Sequence, residues 1–548
     1  MHAMVKNLPR WVMWVASALA MILMALALTW VSPKFGGVNI QGWISYLVVL
    51  LIGTGILLGG WCIIQKTASA PAWLGALLVG ATVLRLAAGV LWTIVIPLGG
   101  YDSPVEQAGY VMKDAYNRDI AAWKLARSGE PLWSAYTKYN QADQYGGMLM
   151  LSATIYRYLG GEVHQPLKIV VITATFSSLS ILFGWGFARR LWDDRVAALT
   201  AWGLALYPDA VLLGSSQMRE AFMITLTALA FYGLLRYRLD HTKSGMAWMF
   251  VGLMLSLVFS PPFTVLLLVA LSLVALALDD WRLLRRKQLW LVLGALALLA
   301  GLGVWLTWGH IAPKGISNLW DLVHWWMRKA AAYQSFLTQH ASGWLQREFR
   351  HLPEWQQLPV LVFYGIVQPF LPATLVALGA PAWRGIAIWR AIGWTLLLLV
   401  LCYASLRSLY QPIAFRLKKD KTRIQQKSTP TVMVTLTVLV WILIIVASLR
   451  GGGDQWDNPR YRAIFTCLQV AMAAWVIVEQ QRSAGPWFKR ILVGAGFVLA
   501  WFLPWYVRRY TGFHWDVISV YKTIGLGLAS AALYVIWDWV RSTTDRHG

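Results

Sequence analysis

The sequence predicts an all-α protein, a polytopic transmembrane helical bundle of about 13–15 spans, and three observations predict it. Hydrophobic residues make up 58% of the 548 residues and charged ones only 13%, about half the charged share of a soluble domain. Apolar runs of about 20 residues, the length that crosses a bilayer core, recur along the whole chain. Basic residues gather in short segments between those runs, as in loops held on the cytoplasmic side. No polar stretch is long enough for a soluble domain of ordinary size, so residues 1–548 are read as a single integral membrane domain.

In order, the first three runs lie near 11–31, 43–64 and 73–98. Lys6 and Arg10 precede the first, which is long enough to span and lacks a clear cleavage site, so it reads as a membrane helix and not a signal peptide. Six more follow near 167–188, 195–213, 220–237, 245–260, 262–279 and 289–308. The last six lie near 357–378, 391–411, 431–449, 461–480, 490–508 and 517–539. Basic clusters sit at Arg189–Arg190, Arg236 with Arg238, Arg282 to Lys287, Arg416 to Lys427, Arg482 to Arg490, and Arg541 with Arg546. If these face the cytoplasm, the 99–146 loop, Arg219–Glu220, the 309–355 loop and the turn from Gly451 to Arg460 fall outside. Two full spans between 356 and 411 would put Lys418–Lys419 outside as well. The 357–378 piece is therefore expected to be re-entrant or interfacial, broken at Pro369 and Pro372. The net charge of +24 follows from this topology, part of it available to anionic membrane lipids, and no nucleic-acid partner is expected. Cys62, Cys402 and Cys467 are far apart in apolar segments and suggest no disulfide framework.

Gly99 to Gly146 is the polar exception. It carries six acids, Asp102, Glu106, Asp114, Asp119, Glu130 and Asp143, and five bases. Long polar loops of this kind are where membrane-bundle proteins keep their chemistry. Val111 to Ser128 is helix-compatible, and Gly129 with Pro131 ends it. Asp114 and Asp119 are five apart and do not share a helix face, whereas Asp114 and Arg118 do. The 309–355 loop, rich in Trp, Arg and Lys, reads as one or two amphipathic helices on the membrane surface.

Three constellations can carry chemistry. Asp114, Asp119 and Asp143 are carboxylates at a membrane edge, suited to take a proton from a hydroxyl or amine, or else ordinary ion-pair partners. Gly214 to Glu220 is a short polar turn between two spans. It places Arg219 and Glu220 at the outer surface, Glu220 at a helix N-terminus that favours a carboxylate in any case. GGGDQWDNPRYR, residues 451–462, places Arg460 and Arg462 at the outer edge near another helix N-terminus, where guanidiniums suit a phosphate or act as snorkelling anchors. Arg85 sits mid-span, a functional-site candidate or the partner of an unseen acid. Asp143, Tyr145 and Arg85 complete the candidate substrate-binding set. HExxH, CxxC, P-loop and GxSxG patterns are missing from the sequence, which argues against a zinc protease, an ATP-driven pump and a serine hydrolase. No cofactor is expected and no residue pattern indicates a divalent metal.

The order of these features resembles the GT-C superfamily of membrane glycosyltransferases, the polyprenyl-phosphate-sugar enzymes that include protein O-mannosyltransferases and aminoarabinose transferases. A first external loop with acids runs into Asp119 to Pro131 (DIAAWKLARSGEP), a second acid follows in SSQMRE at Glu220, then YGIVQPFLP at 364–372 and RYR at 460–462. The resemblance is architectural and covers residues 80 to 480. It implies a GT-C-like fold with juxtamembrane helices in its external loops, and sugar transfer outside the cytoplasmic leaflet of a cell membrane. The partners it implies are a polyprenyl-phosphate-linked sugar donor and an acceptor of undefined class: lipid, glycan or protein. The family's first-loop acid is the proposed base and often one of an adjacent pair. Asp114 and Asp119 stand apart here, so either can be that base. Glu220 would orient the acceptor or its basic partner. Arg460 and Arg462, with Arg219, would hold the donor phosphate. Several relatives need no metal, whereas oligosaccharyltransferase relatives do. An O-antigen ligase or polymerase-like transferase is the alternative in the enzyme class, and a lipid or glycan transporter (flippase) the alternative outside it. Polar residues gathered at one face, with only Arg85 mid-span, argue against transport.

Overall fold

The computed structural model describes residues 10–32, 40–282, 351–418, 430–483, 485–508 and 519–544, with a few isolated positions between 287 and 325. The expected span at 289–308 and nearly all of the 309–355 loop lie outside the described residues. Among the described residues every regular element is helical. Eight helices among the described residues are long and apolar enough to cross a membrane, or ten if two bent pairs each count as one span. The protein is an all-α integral membrane protein.

The described chain forms two compact units. The first runs to Leu268 and adds Leu378–Arg390 and Ala463–Ala474; the second takes Val269–Ala377, Ala391–Arg462 and the remainder from Trp475. In chain order the helices are α1 (Arg10–Val31), α2 (Ile40–Ala68), α3 (Ala72–Gly99), α4 (Pro104–Gln107), α5 (Lys113–Arg127), α6 (Gly147–Leu159), α7 (Leu167–Leu191), α8 (Asp194–Leu206), α9 (Pro208–Gly214), α10 (Arg219–Leu239), α11 (Lys243–Phe259) and α12 (Pro261–Leu278). They continue as α13 (Glu354–Val367), α14 (Leu371–Val376), α15 (Pro381–Lys418), α16 (Pro430–Gly451), α17 (Asp457–Ala463), α18 (Thr466–Ser483), α19 (Trp487–Arg508) and α20 (Val520–Thr544).

The first unit is built around α7, 94% of whose apolar window is buried, with α2, α3, α8 and α10 packed on it. Its hydroxyls do not interrupt that burial. Thr173, Thr175, Ser177, Ser178 and Ser180 each donate to a carbonyl one turn back in the same helix, which satisfies them without water. Small residues let the neighbouring backbones approach: a Cβ at Gly60 of α2 would lie 2.5 Å from Leu179.

The span expected as continuous over 195–213 is broken. Pro208 lacks an N–H and holds Tyr207 extended, so α8 and α9 meet at 53°. Arg85 repairs the break. Its guanidinium, wholly buried, donates to Leu204 O at 2.9 Å and Ala205 O at 3.4 Å, carbonyls that a continuing helix would otherwise occupy. On the other side of the break Asp209 receives Arg390 Nε at 2.6 Å and the Tyr207 hydroxyl at 3.2 Å. Arg85 thus has a structural role at this break, made through carbonyls and not through an acid.

In the second unit the expected break at 357–378 is present. Helix α13 stops at Val367 and α14 starts at Leu371, across a cis Gln368–Pro369 bond. Arg462 donates to the freed Gln368 carbonyl at 2.5 Å, as Arg85 does at the other break. Asn458 donates to Gly365 O and Gly452 O, both at 2.9 Å, tying α17 to the end of α13.

Candidate active site

The polar loop folds as short elements set against the first unit. Ser103 and Glu106 form a capping box on α4, and Glu106 also accepts the Trp383 indole N–H at 2.7 Å and the Tyr101 N–H at 2.7 Å. Burial alone would raise the Glu106 carboxyl; the hydrogen bonds from Ser103, Trp383 and Tyr101 outweigh it and hold the group below the ordinary carboxylate range. A carboxyl lowered by folding contributes stability that is complete above its unfolded value and fades as pH falls through its folded one. Acidification below the ordinary carboxylate range is therefore expected to free Trp383 from Glu106, with a change in indole fluorescence that Glu106→Gln shows already at neutral pH. An indole signal identical in the two proteins across that range would contradict this anchor.

Next comes Gly109 at φ +79°, where a Cβ would lie 2.8 Å from Thr93 Cα. That close approach turns the chain so that Tyr110, Val111 and Met112 are buried before α5 begins. Helix α5 spans Lys113–Arg127, within the expected 111–128. Its faces separate the two aspartates as the five-residue spacing requires: Asp114, in the first turn, is exposed, and Asp119 is 1% exposed.

Asp119 is enclosed by partners. Its Oδ2 accepts the Tyr110 hydroxyl at 2.5 Å and lies 2.7 Å from His164 Nε2, while Oδ1 accepts the Tyr156 hydroxyl. Burial first, and Asp119 second, push both phenols well above their ordinary value, so both remain donors. Trp123 and Tyr156 pack on His164 with ring centroids 5.1 and 5.2 Å away. Tyr110, Tyr156 and His164 are candidate-site neighbours that the sequence did not single out. Their distances along the chain follow no helical period, and His164 was one of nine scattered histidines.

A second cluster gathers three distant segments. Asp143, 2% exposed, lies 3.6 Å from Arg118 Nε and 3.9 Å from Arg219 Nη1. Its Oδ2 accepts the Leu149 N–H at 3.0 Å, in the first turn of α6, where a carboxylate is favoured. Arg219 Nε is 3.6 Å from Glu220 Oε1, and its guanidinium lies 4.9 Å from the Tyr145 ring centroid. Arg118 donates to Gln217 O at 3.2 Å. Burial lowers the Arg118 guanidinium, partly offset by Asp143 and then Glu220. Arg118 entered the sequence reading only as an i,i+4 partner of Asp114; the fold adds Asp143, 25 positions later in the chain. Thus Asp143, Tyr145, Arg219 and Glu220 come together, with Arg118 added to them.

Arg460 and Arg462 belong to the second unit. Arg460 lies 3.3 Å from Asp457 and has its guanidinium 5.2 Å from the Tyr461 ring centroid. Arg462 is 1% exposed and stacks on Trp394, 3.3 Å from the ring centroid.

A cavity of about 260 Å³ adjoins the loop in the first unit, between the end of α1, the second half of α3, the start of α7 and Ser215 to Gln217. Tyr110, Ala115 and Gln217 line it; Tyr110 donates to Asp119 and the Gln217 carbonyl accepts from Arg118, so both clusters lie one residue behind its wall. Among the described residues no group of three His, Cys, Asp or Glu side chains has metal-binding geometry.

Residues 146–308 match the family model of dolichyl-phosphate-mannose-protein mannosyltransferases. That segment includes Arg219 and Glu220, and the match agrees with the GT-C resemblance. Among solved structures, the archaeal oligosaccharyltransferase AglB from Archaeoglobus fulgidus, solved with an inhibitory peptide and a dolichol-phosphate, is similar at 15% identity and a TM-score of 0.34. The similarity covers 84% of this chain and 56% of the length of AglB. No curated protein matches the chain.

Proposed function

We propose that the protein is a membrane glycosyltransferase that moves a sugar, hexose or pentose, from a polyprenyl-phosphate donor to an acceptor on the extracytoplasmic side. The observation that carries this is the buried Arg118–Asp143–Arg219–Glu220 cluster, assembled from α5, the loop before α6 and the start of α10 and joined to the cavity-lining Gln217 through Arg118. The family match over 146–308 supports the donor class.

In this reading Asp114 is the base. It is exposed at the start of α5, whereas Asp119 is enclosed by two phenols and His164. The acceptor hydroxyl or amine attacks the anomeric carbon. Its proton passes to Asp114, the bond from that carbon to the phosphate oxygen breaks, and polyprenyl phosphate leaves. Arg219, backed by Asp143 and Glu220, faces the negative charge that grows on the leaving phosphate. Arg118 holds Asp143 and Gln217 in place. Within the second unit, Arg462 acts through Trp394 and Gln368.

Mass spectrometry of lipid that co-purifies with the protein tests the donor, and sugar transfer from polyprenyl-phosphate donors tests the reaction. Cysteines placed at the exposed positions 101, 113 and 455 test the face. A bound polyprenyl phosphate and labelling from outside are expected; transfer from nucleotide sugars alone, or labelling only from the cytoplasm, would defeat the reading.

A further inference from the structure

Two aromatic rings of the polar loop point away from the fold. Leu132–Tyr136 is a single 3₁₀ turn packed on α5 and α6. Ser134 and Ala135 are buried against those helices, while Trp133 is 70% and Tyr136 38% exposed. Residues i and i+3 eclipse in a 3₁₀ helix, so the two rings stand on one face. An indole this open adds little to the stability of the fold.

The turn is firmly mounted. Arg157 of α6 donates to Ser128 O at 3.1 Å and to Glu130 O at 2.7 Å. Lys138 reaches back across the turn to Glu130 at 2.7 Å, and the Thr137 and Lys138 N–H groups both donate to Ser134 O. Rings held this way lose little freedom when a ligand settles on them. The same face runs into the charged cluster. Tyr136 lies against Gly146, at φ +73°, where a Cβ would come within 2.8 Å of its ring. The preceding residue, Tyr145, has the Arg219 guanidinium over its ring at 4.9 Å. Burial first, and Asp143 second, raise the Tyr136 phenol, so it stays a neutral donor.

The surroundings decide what the rings can hold. Between Tyr136 and Tyr145 the chain exposes Thr137, Asn140, Gln141 and Gln144. Hydrocarbon laid over these side chains would strip water from them and return no hydrogen bond. A sugar satisfies both parts. The C–H groups on the face of its ring meet the negative face of an aromatic ring, and its hydroxyls match neutral amides and a hydroxyl. We propose that Trp133 and Tyr136 form a stacking platform for a saccharide, and that the acceptor is therefore a glycan, one sugar resting on the platform while the reacting hydroxyl reaches the Arg219 side. Calling the glycan an acceptor rests on the transferase reading; saccharide binding does not.

The test applies the full-length protein, in nanodiscs containing a diazirine-acyl phosphatidylcholine, to an array of immobilised glycans with no donor present. Wild type is expected to bind one class of glycan, and Trp133→Ala should weaken that binding about tenfold. Trp133→Phe, which keeps an aromatic face, should retain most of it, and Trp133→Leu, apolar without that face, should not. No glycan bound, equal binding by Trp133→Ala, or leucine serving as well as phenylalanine would each overturn the proposal. Lipid adducts on the peptide covering 132–138 would also overturn it, by making the rings membrane anchors. The wild-type glycan and lipid arms stand even if a variant fails to fold. In transfer assays Trp133→Ala should raise the acceptor KM and leave the donor KM unchanged. Trp133-dependent glycan binding by a protein that transfers no sugar would sink the transferase reading and leave the platform standing. Sugar transfer by a protein whose glycan binding ignores Trp133 would do the reverse.

Discussion

Asp114→Asn is expected to lower sugar transfer by about 10²–10⁴-fold, the usual contribution of a positioned base, with only a small change in the unfolding temperature. Asp114 is exposed in the first turn of α5. Asparagine there keeps the shape and removes the proton acceptor, a favourable charge at a helix start and the attraction to Arg118, together about 0.3–1 kcal/mol. Asp119→Asn should behave in the opposite way. Its carboxylate receives two phenols and faces His164, and the amide nitrogen would set a donor against one of those donors in a dry site. A buried mismatch of that kind costs about 1–3 kcal/mol, so thermal stability should fall first, with activity following the folded fraction. Transfer and thermal unfolding measured on the same preparations separate the roles. A folded, fully active Asp114→Asn protein would remove Asp114 as the base. An Asp119→Asn protein of unchanged stability that has lost transfer would move the role to Asp119.

That contrast marks where the sequence stops being sufficient. Local signals were legible. Gly129 and Pro131 end α5 close to where the structure ends it, and Pro369 and Pro372 announce the break between α13 and α14. Glu220 could be placed at a helix start from its neighbours alone. Long-range chemistry was not legible. Nothing in the spacing of Tyr110, Tyr156 and His164 shows that they surround Asp119, because three separate segments deliver them. The break at Tyr207–Pro208 has a signal in Pro208, but an apolar run of spanning length masked it. Once the break exists, Arg85 follows physically: carbonyls freed inside an apolar bundle need donors, and a buried guanidinium one helix away supplies them. A mid-span arginine therefore reads as a binding residue until the broken helix beside it is known. Arg462 is the same lesson in the second unit, with Gln368 O as its acceptor.

Removing Asp143 should have the largest effect on stability. Asp143 and Glu220 balance Arg118 and Arg219, so the cluster is neutral as built. Asp143→Ala leaves two guanidiniums against one carboxylate, with Arg118 4% exposed and lowered by burial even while Asp143 is present. It also takes the acceptor from the Leu149 N–H. Breaking a buried pair by removing one partner costs about 3–5 kcal/mol, a large fraction of an ordinary stability of about 5–15 kcal/mol. Asp143→Asn can still accept from Leu149 and loses only the charge, so it should lie between alanine and wild type. The decisive measurement is a double-mutant cycle with Arg118→Met, whose unbranched apolar side chain leaves no buried charge behind. If the ion pair dominates, the double variant Asp143→Ala/Arg118→Met should recover part of the stability that Asp143→Ala loses alone. Strictly additive losses in thermal unfolding would show that Asp143 acts through the α6 N-terminus and not through Arg118. The phosphate-facing role proposed for Arg219 would then lose the neutral scaffold on which it depends.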